Sequence, residues 1–365
     1  VGKKQDDSVV AVDMIKWAGM PDSTYFRVIL ASDSWLGVSF IDDVMYLNTD
    51  SNQIRVYEKD IGTEVEIIVN KPPANPRWAF SIEYSDNIEF NYQNKISELE
   101  GGELEDYLAG LINRPRDVEG SYAIKNINKG GINVDGDGRY RTGKVGHLYR
   151  PTAVDATGDT LWLDQLITGT KWELDGIFNL AWWENATYPV TIGPTIGISD
   201  VGGSTLNLTP YAIGMKNGWG QYTASTGDVV DSGYFYGSAL GVSVDIAPYT
   251  VTGAAQLPNT IVGTQATISI STTPAWYSVD MNTALSNGVA YTACVGEWSG
   301  QTNTYYDSSS PNQYLSRDTQ DPSDLPATWS ENNQRQYDCS LHMKVESAAG
   351  EDEDMSRRSI IIKGM

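Results

Sequence analysis

Short apolar runs broken by turn-forming clusters dominate the first quarter of the chain. Ser8 to Trp17, Tyr25 to Ala31, Val44 to Leu47, Ile54 to Tyr57, Glu64 to Val69 and Trp78 to Tyr84 are rich in β-branched and aromatic residues. Gly19-Met20-Pro21-Asp22 and Asn48-Thr49-Asp50-Ser51-Asn52 punctuate them. Such runs predict strands, because branched and aromatic side chains suit a pleated surface while Gly, Pro, Asn and Asp suit turns. Arg55 and Tyr57, then Glu64 and Glu66, interleave with apolar neighbours at period two, as in a sheet with one wetted face.

The period changes once. Leu104, Tyr107, Leu108 and Leu111 recur at helical spacing, with Glu103, Glu105 and Asp106 in the first turn and Asn113 and Pro115 at the end. This predicts a helix over 103–112, its acidic start favoured by the helix dipole. Residues 1–115 therefore read as a β-rich anchoring and assembly domain with one short helix. Residues 116–161 hold seven glycines between 130 and 158 and a local concentration of Lys and Arg, and read as a Gly-rich linker. Strand-like runs at the spacing of a β-sandwich resume from Trp162. The expected architecture is mainly β, with an antiparallel, jelly-roll-like sandwich over 162–348 and a charged tail over 349–365.

Composition sharpens this picture. The 365 residues include 35 Gly, 21 Tyr and 11 Trp, and 25 basic against 47 acidic residues give a net charge of −22. Between Lys171 and Arg317 the only basic residue is Lys216. Binding to phosphate backbones or anionic membranes depends on basic patches, so nucleic acid is excluded as a partner of that stretch. No run reaches the roughly 20 apolar residues of a membrane-spanning helix.

Candidate chemistry is sparse. His147 and His342 are the two histidines, and Gly-x-Ser-x-Gly, phosphate-loop, CxxC and HExxH motifs are absent. Catalytic residues are therefore not assigned. The Trp182-Trp183-Glu184 cluster is where a glycosidase carboxylate would be sought, though aromatic core plus a solvated carboxylate explains it more simply. Asn133, Asp135 and Asp137 alternate on a Gly-turned loop and form a candidate Ca²⁺ site, but Lys144 stands where a full EF-hand needs Glu; a polar turn is the competing explanation, and Ca²⁺ is the one cofactor in question. Cys294 and Cys339 are open to two readings, a disulfide or two buried thiols. Trp219, Tyr222, Trp298, Tyr305 and Tyr306, set among Gly, Ser, Thr and Asn, are the candidate glycan-binding residues, since aromatic faces stack on sugar rings and also build protein interfaces.

Three segments follow one another near the end: Trp276-Tyr277-Ser278-Val279, then Leu285 to Val295 across Asn287-Gly288, then Thr304-Tyr305-Tyr306-Asp307. They resemble the last strands of jelly-roll domains in bacteriophage tail-fibre and other virion proteins and in secreted carbohydrate-binding modules. The resemblance implies a structural virion protein (fibre, spike or capsid decoration) located on the virion or outside the cell. It would act by assembly with itself, as a homo-oligomer such as a trimer, with other virion proteins, and by binding a host-surface glycan. A secreted carbohydrate-binding protein or glycoside hydrolase, and a cellular surface-layer or filament subunit, are the alternatives.

Overall fold

A computed structural model describes residues 3–6, 9–16, 25–31, 37–41, 44–48, 52–59, 62–127, 132–133, 143–193, 195–197, 202–208, 212–216, 221–239, 243–252, 257–296, 302–308, 314–318, 325–329, 333–335 and 337–346. The protein is mainly β, built from four sheets that are almost wholly antiparallel. Two compact units divide them: residues 1–99, 114–128 and 144–203 form the first, and residues 100–113, 129–143 and 204–365 the second.

In the first unit, one sheet runs in the order Lys3–Asp6, Val9–Lys16, Tyr25–Ala31, Arg77–Tyr84, Lys171–Asp175, Asp164–Thr168. The other is centred on Gly62–Val69, which pairs with Asn52–Lys59 along one edge and with Val190–Gly193 and Thr195–Gly197 along the other. Alternation works as the sequence implies: Met45 and Leu47 are fully buried within Val44–Asn48, as are Phe26 and Val28 within Tyr25–Ala31. Trp172 lies opposite Phe80, with ring centroids 5.3 Å apart. This pair ties the segment after residue 162 to the sheet of residues 77–84.

Three expectations change here. Residues 116–161, read as a linker, contribute Tyr122–Asn126, Lys144–Leu148, Thr152–Val154 and Thr160–Trp162 to the second sheet of this unit. The first two strands are buried along their whole length. Their lysines hide them: Lys125 and Lys144 are cross-strand partners, 0% and 2% exposed, so letters that read as surface charge lie inside the sheet. Second, the sandwich begins near Ser204 rather than 162, because Lys171–Asp175, Val190–Gly193 and Thr195–Gly197 pair with strands far earlier in the chain. Third, within the stretch from Trp162 read as strand-like runs, Gly176 to Trp183 contains a 3-10 turn, Ile177–Asn179, followed by a short helix, Leu180–Asn185, whose start is capped by Asn179 accepting from the Trp182 N–H.

The second unit is a β-sandwich. One sheet, the aromatic sheet below, has the order Ile112–Asn113, Ser204–Asn207, Thr302–Ser308, Val229–Ala239, Leu341–Glu346, Ile132–Asn133, with Ala275–Ala284 along the other edge of Val229–Ala239. The facing sheet runs Leu257–Ile261, Ser243–Thr252, Ala290–Gly296, Ala212–Lys216, Tyr314–Asp318, Asn333–Arg335. Val230, Phe235, Leu341 and Met343 from the first meet Ile213, Val244, Ile246 and Val295 from the second in one continuous core. The sheets approach closely at Gly233, where an added Cβ would stand 2.8 Å from Ile246 Cδ1.

The expected helix is Gly101–Leu108, and Ile112–Asn113 leaves it to pair with Leu206 and Thr205. Its apolar stripe is not what it buries. Glu103 and Asp106 are buried, Tyr107 packs against the sandwich core, and Leu108 is 75 % exposed. The helix ends before Leu111, so that residue falls outside it.

Candidate functional site

The strand Val229–Ala239 dictates the site by its alternation. Phe235 and Ala239 face the sandwich core, so Tyr234 and Tyr236 face outward. Antiparallel register then places ring against ring. Tyr236 lies opposite Trp276, and Tyr234 lies between Ser278 on one neighbour and His342 on the other. Tyr305 reaches Tyr236 from Thr302–Ser308, with centroids 5.0 Å apart and planes at 82°.

The rings form one connected group. Tyr234 and His342 are stacked at 4.4 Å with planes 8° apart, and Trp276 meets His342 edge-on at 5.5 Å and Tyr236 at 5.5 Å. Offset and edge-to-face pairs of this kind contribute beyond their buried area and hold each ring's orientation. His342 is almost fully enclosed, whereas Tyr234, Tyr236, Trp276 and Tyr305 are partly exposed. Ser278, Asp280, Asn282 and Asn303 are exposed around them on the same face. Lys344 and Asp231 pair at 3.0 Å where Val229–Ala239 is bulged, and the Ser232 hydroxyl and Lys344 together hold the Asp231 carboxyl below the ordinary carboxylate range. The result is an aromatic floor of mutually inclined rings, bordered by hydroxyl, amide and carboxylate groups, suited to apolar contact and hydrogen bonding.

Of the candidate glycan residues, Tyr305 belongs to this floor. Tyr306, its neighbour, is fully buried in the sandwich core, since adjacent strand residues face opposite ways. Tyr222 packs against that core from the facing sheet and donates to Asp228 at 2.5 Å; burial first, and then the Asp228 carboxylate, push its hydroxyl up to about 12. Trp219 and Trp298 lie outside the described residues. Tyr234, Tyr236 and Trp276 were visible as aromatic letters, but their convergence depends on strand pairings that span from 40 residues (Tyr236 with Trp276) to 108 (Tyr234 with His342). His342 reads from the sequence as an ordinary strand position.

The remaining candidates sort by burial. Cys294 and Cys339 are buried thiols on opposite sheets of the sandwich, with no disulfide joining them, and burial pushes the Cys294 thiol well up. Asn133 ends a two-residue strand, while the side chain of Asn133 and all of Asp135 and Asp137 lie outside the described residues. Among the described residues no group of three or more His, Cys, Asp or Glu side chains could hold a metal ion. His147 Nε2 and Ser121 Oγ are 2.7 Å apart, both wholly buried in the first unit; a nucleophile needs a substrate within reach, and this contact is sealed in packed interior. Trp183 is buried with its Nε1 donating to Gly176 O, Trp182 Nε1 donates to Asp159, and Glu184 is exposed. That cluster anchors a helix to its neighbours. Among the described residues no helix is long and apolar enough to cross a membrane.

Comparison with known proteins adds little. No protein-family model and no curated protein matches the chain. Among solved structures, a GH31 alpha-xylosidase from Xanthomonas citri aligns over 92% of this chain and 37% of its own, at 11% identity and a TM-score of 0.14. The chain thus spans well under half of that enzyme's length, and a score this low carries no argument about fold or activity.

Proposed function

We propose that this protein is a non-enzymatic structural protein of a bacteriophage virion, a fibre, spike or capsid decoration, whose second unit contacts a surface glycan through the aromatic face of Tyr234, Tyr236, Trp276 and Tyr305. The observation that carries the binding role is that face: partly exposed rings held in fixed orientation on a sheet, with hydroxyls and amides around them. Rigid aromatics with adaptable Ser and Asn neighbours make contact area at low entropic cost. The virion setting rests on the resemblance of the strands from Trp276 to Asp307, and a homo-oligomer is its corollary, because virion projections occupy symmetric positions.

Two measurements test the reading. Light scattering should give a stable homo-oligomer, and immobilised bacterial surface polysaccharides should retain the protein but not a Tyr236→Ala variant. A panel blank for the native protein removes the glycan role. Retention by a protein that is monomeric at every concentration moves the chain to the secreted carbohydrate-binding class. For Ca²⁺ at Asn133, Asp135 and Asp137, a melting temperature indifferent to both EDTA and added Ca²⁺ removes that site.

A further inference from the structure

Resting on the glycan reading just given, we infer that the ligand of the aromatic face is an uncharged saccharide chain, as opposed to one bearing uronate, sialate or sulfate groups. Three features of the face point the same way. The first is the rings themselves. Where a ring presents its face, the negative quadrupole charge there attracts the weakly positive C–H faces of a neutral sugar and repels an anion laid over it.

The second feature is the rim. Recognition of a carboxylate or sulfate relies on Arg or Lys making charge-assisted hydrogen bonds. The described charged groups at this face are the exposed Asp280 and the half-buried Asp231 and Lys344, and Lys344 is already committed to Asp231 at 3.0 Å. A bound anion would have to draw Lys344 away from a carboxylate that stays behind. By contrast, Ser278, Asn282 and Asn303 are exposed and offer both donors and acceptors, which is what sugar hydroxyls need.

The third feature is the field. The stretch from Ser204 to Ser316 supplies most strands of this unit and contains one basic residue, Lys216, against six acidic ones. A polyanion would approach against that charge, most strongly at low salt.

The test compares neutral polymers with charged ones, including one pair matched in backbone, hydroxyethylcellulose and carboxymethylcellulose. Hydroxyethylcellulose and galactomannan are set against carboxymethylcellulose and polygalacturonate, by affinity electrophoresis at low salt and about pH 8, where an ordinary imidazole is neutral. Retardation by at least one neutral polymer, with neither charged polymer binding, is the expected result. Trp276→Ala and, independently, Tyr305→Ala at the edge of the group should weaken that retardation about tenfold or more, equivalent to 1.4 kcal/mol. Each variant is checked for an unfolding curve like the native one, and a loss of fold in one leaves the other as the test. Asp280→Lys should admit carboxymethylcellulose while retaining the neutral polymer.

Binding of a charged polymer as tightly as its neutral counterpart at low salt overturns the inference and leaves the glycan reading standing. Absence of binding to all four polymers and to the bacterial polysaccharides overturns both. Neutral binding that neither aromatic variant weakens places the site elsewhere and overturns the inference at this face.

Discussion

Replacing Gly233 by alanine tests how tightly the two sheets of the second unit are fitted. A Cβ at this position would stand 2.8 Å from Ile246 Cδ1, 3.1 Å from Ile246 Cγ2 and 3.1 Å from Met281 Sδ. Comfortable carbon contacts lie near 3.5–4.0 Å, so the new methyl overlaps the facing sheet by roughly 1 Å at its worst contact. Overpacking of this order costs about 1–3 kcal/mol, offset by roughly 0.5–1 kcal/mol because alanine orders in a strand at lower entropic cost than glycine. The net expectation is a loss of about 1–2 kcal/mol. At roughly 2–4 °C per kcal/mol for a unit of this size, the melting temperature should fall by several degrees.

Ile246→Val removes the offending Cδ1 and alone should cost about 0.5–1.5 kcal/mol. Together the two changes should be less damaging than their sum by about 1 kcal/mol, because the valine vacates the space the alanine methyl needs. Urea unfolding and calorimetry of the full chain would measure all four corners of this cycle. Additivity within about 0.5 kcal/mol, or a Gly233→Ala protein as stable as the native one, would refute the packing argument.

Three further outcomes follow from single residues. Asn282 has φ of 50° at the irregularity opposite Asp231, so Asn282→Gly should be neutral or mildly stabilising and Asn282→Val should cost about 1–2 kcal/mol in denaturant unfolding; equal stabilities would remove the backbone explanation. Both thiols should resist a thiol reagent in the native state and titrate as two groups after denaturation; native reactivity contradicts their burial, and fewer than two on unfolding contradicts their reduced state. Asp155 accepts from the Thr157 hydroxyl and from the backbone N–H groups of Thr187, Thr157 and Asp159, which hold its carboxyl down at about 2. A depressed carboxyl stabilises the fold above its unfolded value, about 3.9, and loses that contribution as pH falls toward 2. The melting temperature of Asp155→Asn should therefore vary less than the native one across that window, and identical slopes would count against the assignment.

Much of the β architecture was legible because its signal is local. Val44–Asn48 and Tyr25–Ala31 bury alternate residues, and their branched and aromatic letters announce it. What stayed hidden depends on partners distant in sequence. Trp172 reads as the start of a new domain until Phe80 is found opposite it. Lys125 and Lys144 read as linker charge until their burial is seen. The aromatic face was half visible: Tyr305 and Tyr306 look equivalent as letters, and only the sheet's orientation sends one to the rim and the other to the core. For helix 101–108, four apolar letters outweighed Glu103 and Asp106, although these two occupy the buried face.

The order in which the chain visits its two units constrains how it can be made. Residues 100–113 and 129–143 belong to the second unit, yet they precede the last third of the first. Ile112 must wait for Leu206, its strand partner, to leave the ribosome, a delay of about 5 to 20 seconds at ordinary rates of synthesis. During that interval its backbone hydrogen-bonding groups lack their native sheet partner. Neither unit is a continuous stretch, so neither can be moved between genes as a single cassette, and a fragment starting at Ser204 would begin life without the edge strand and helix that residues 100–113 contribute. Exchange of binding surfaces among related chains would have to proceed loop by loop, or by replacing both units together.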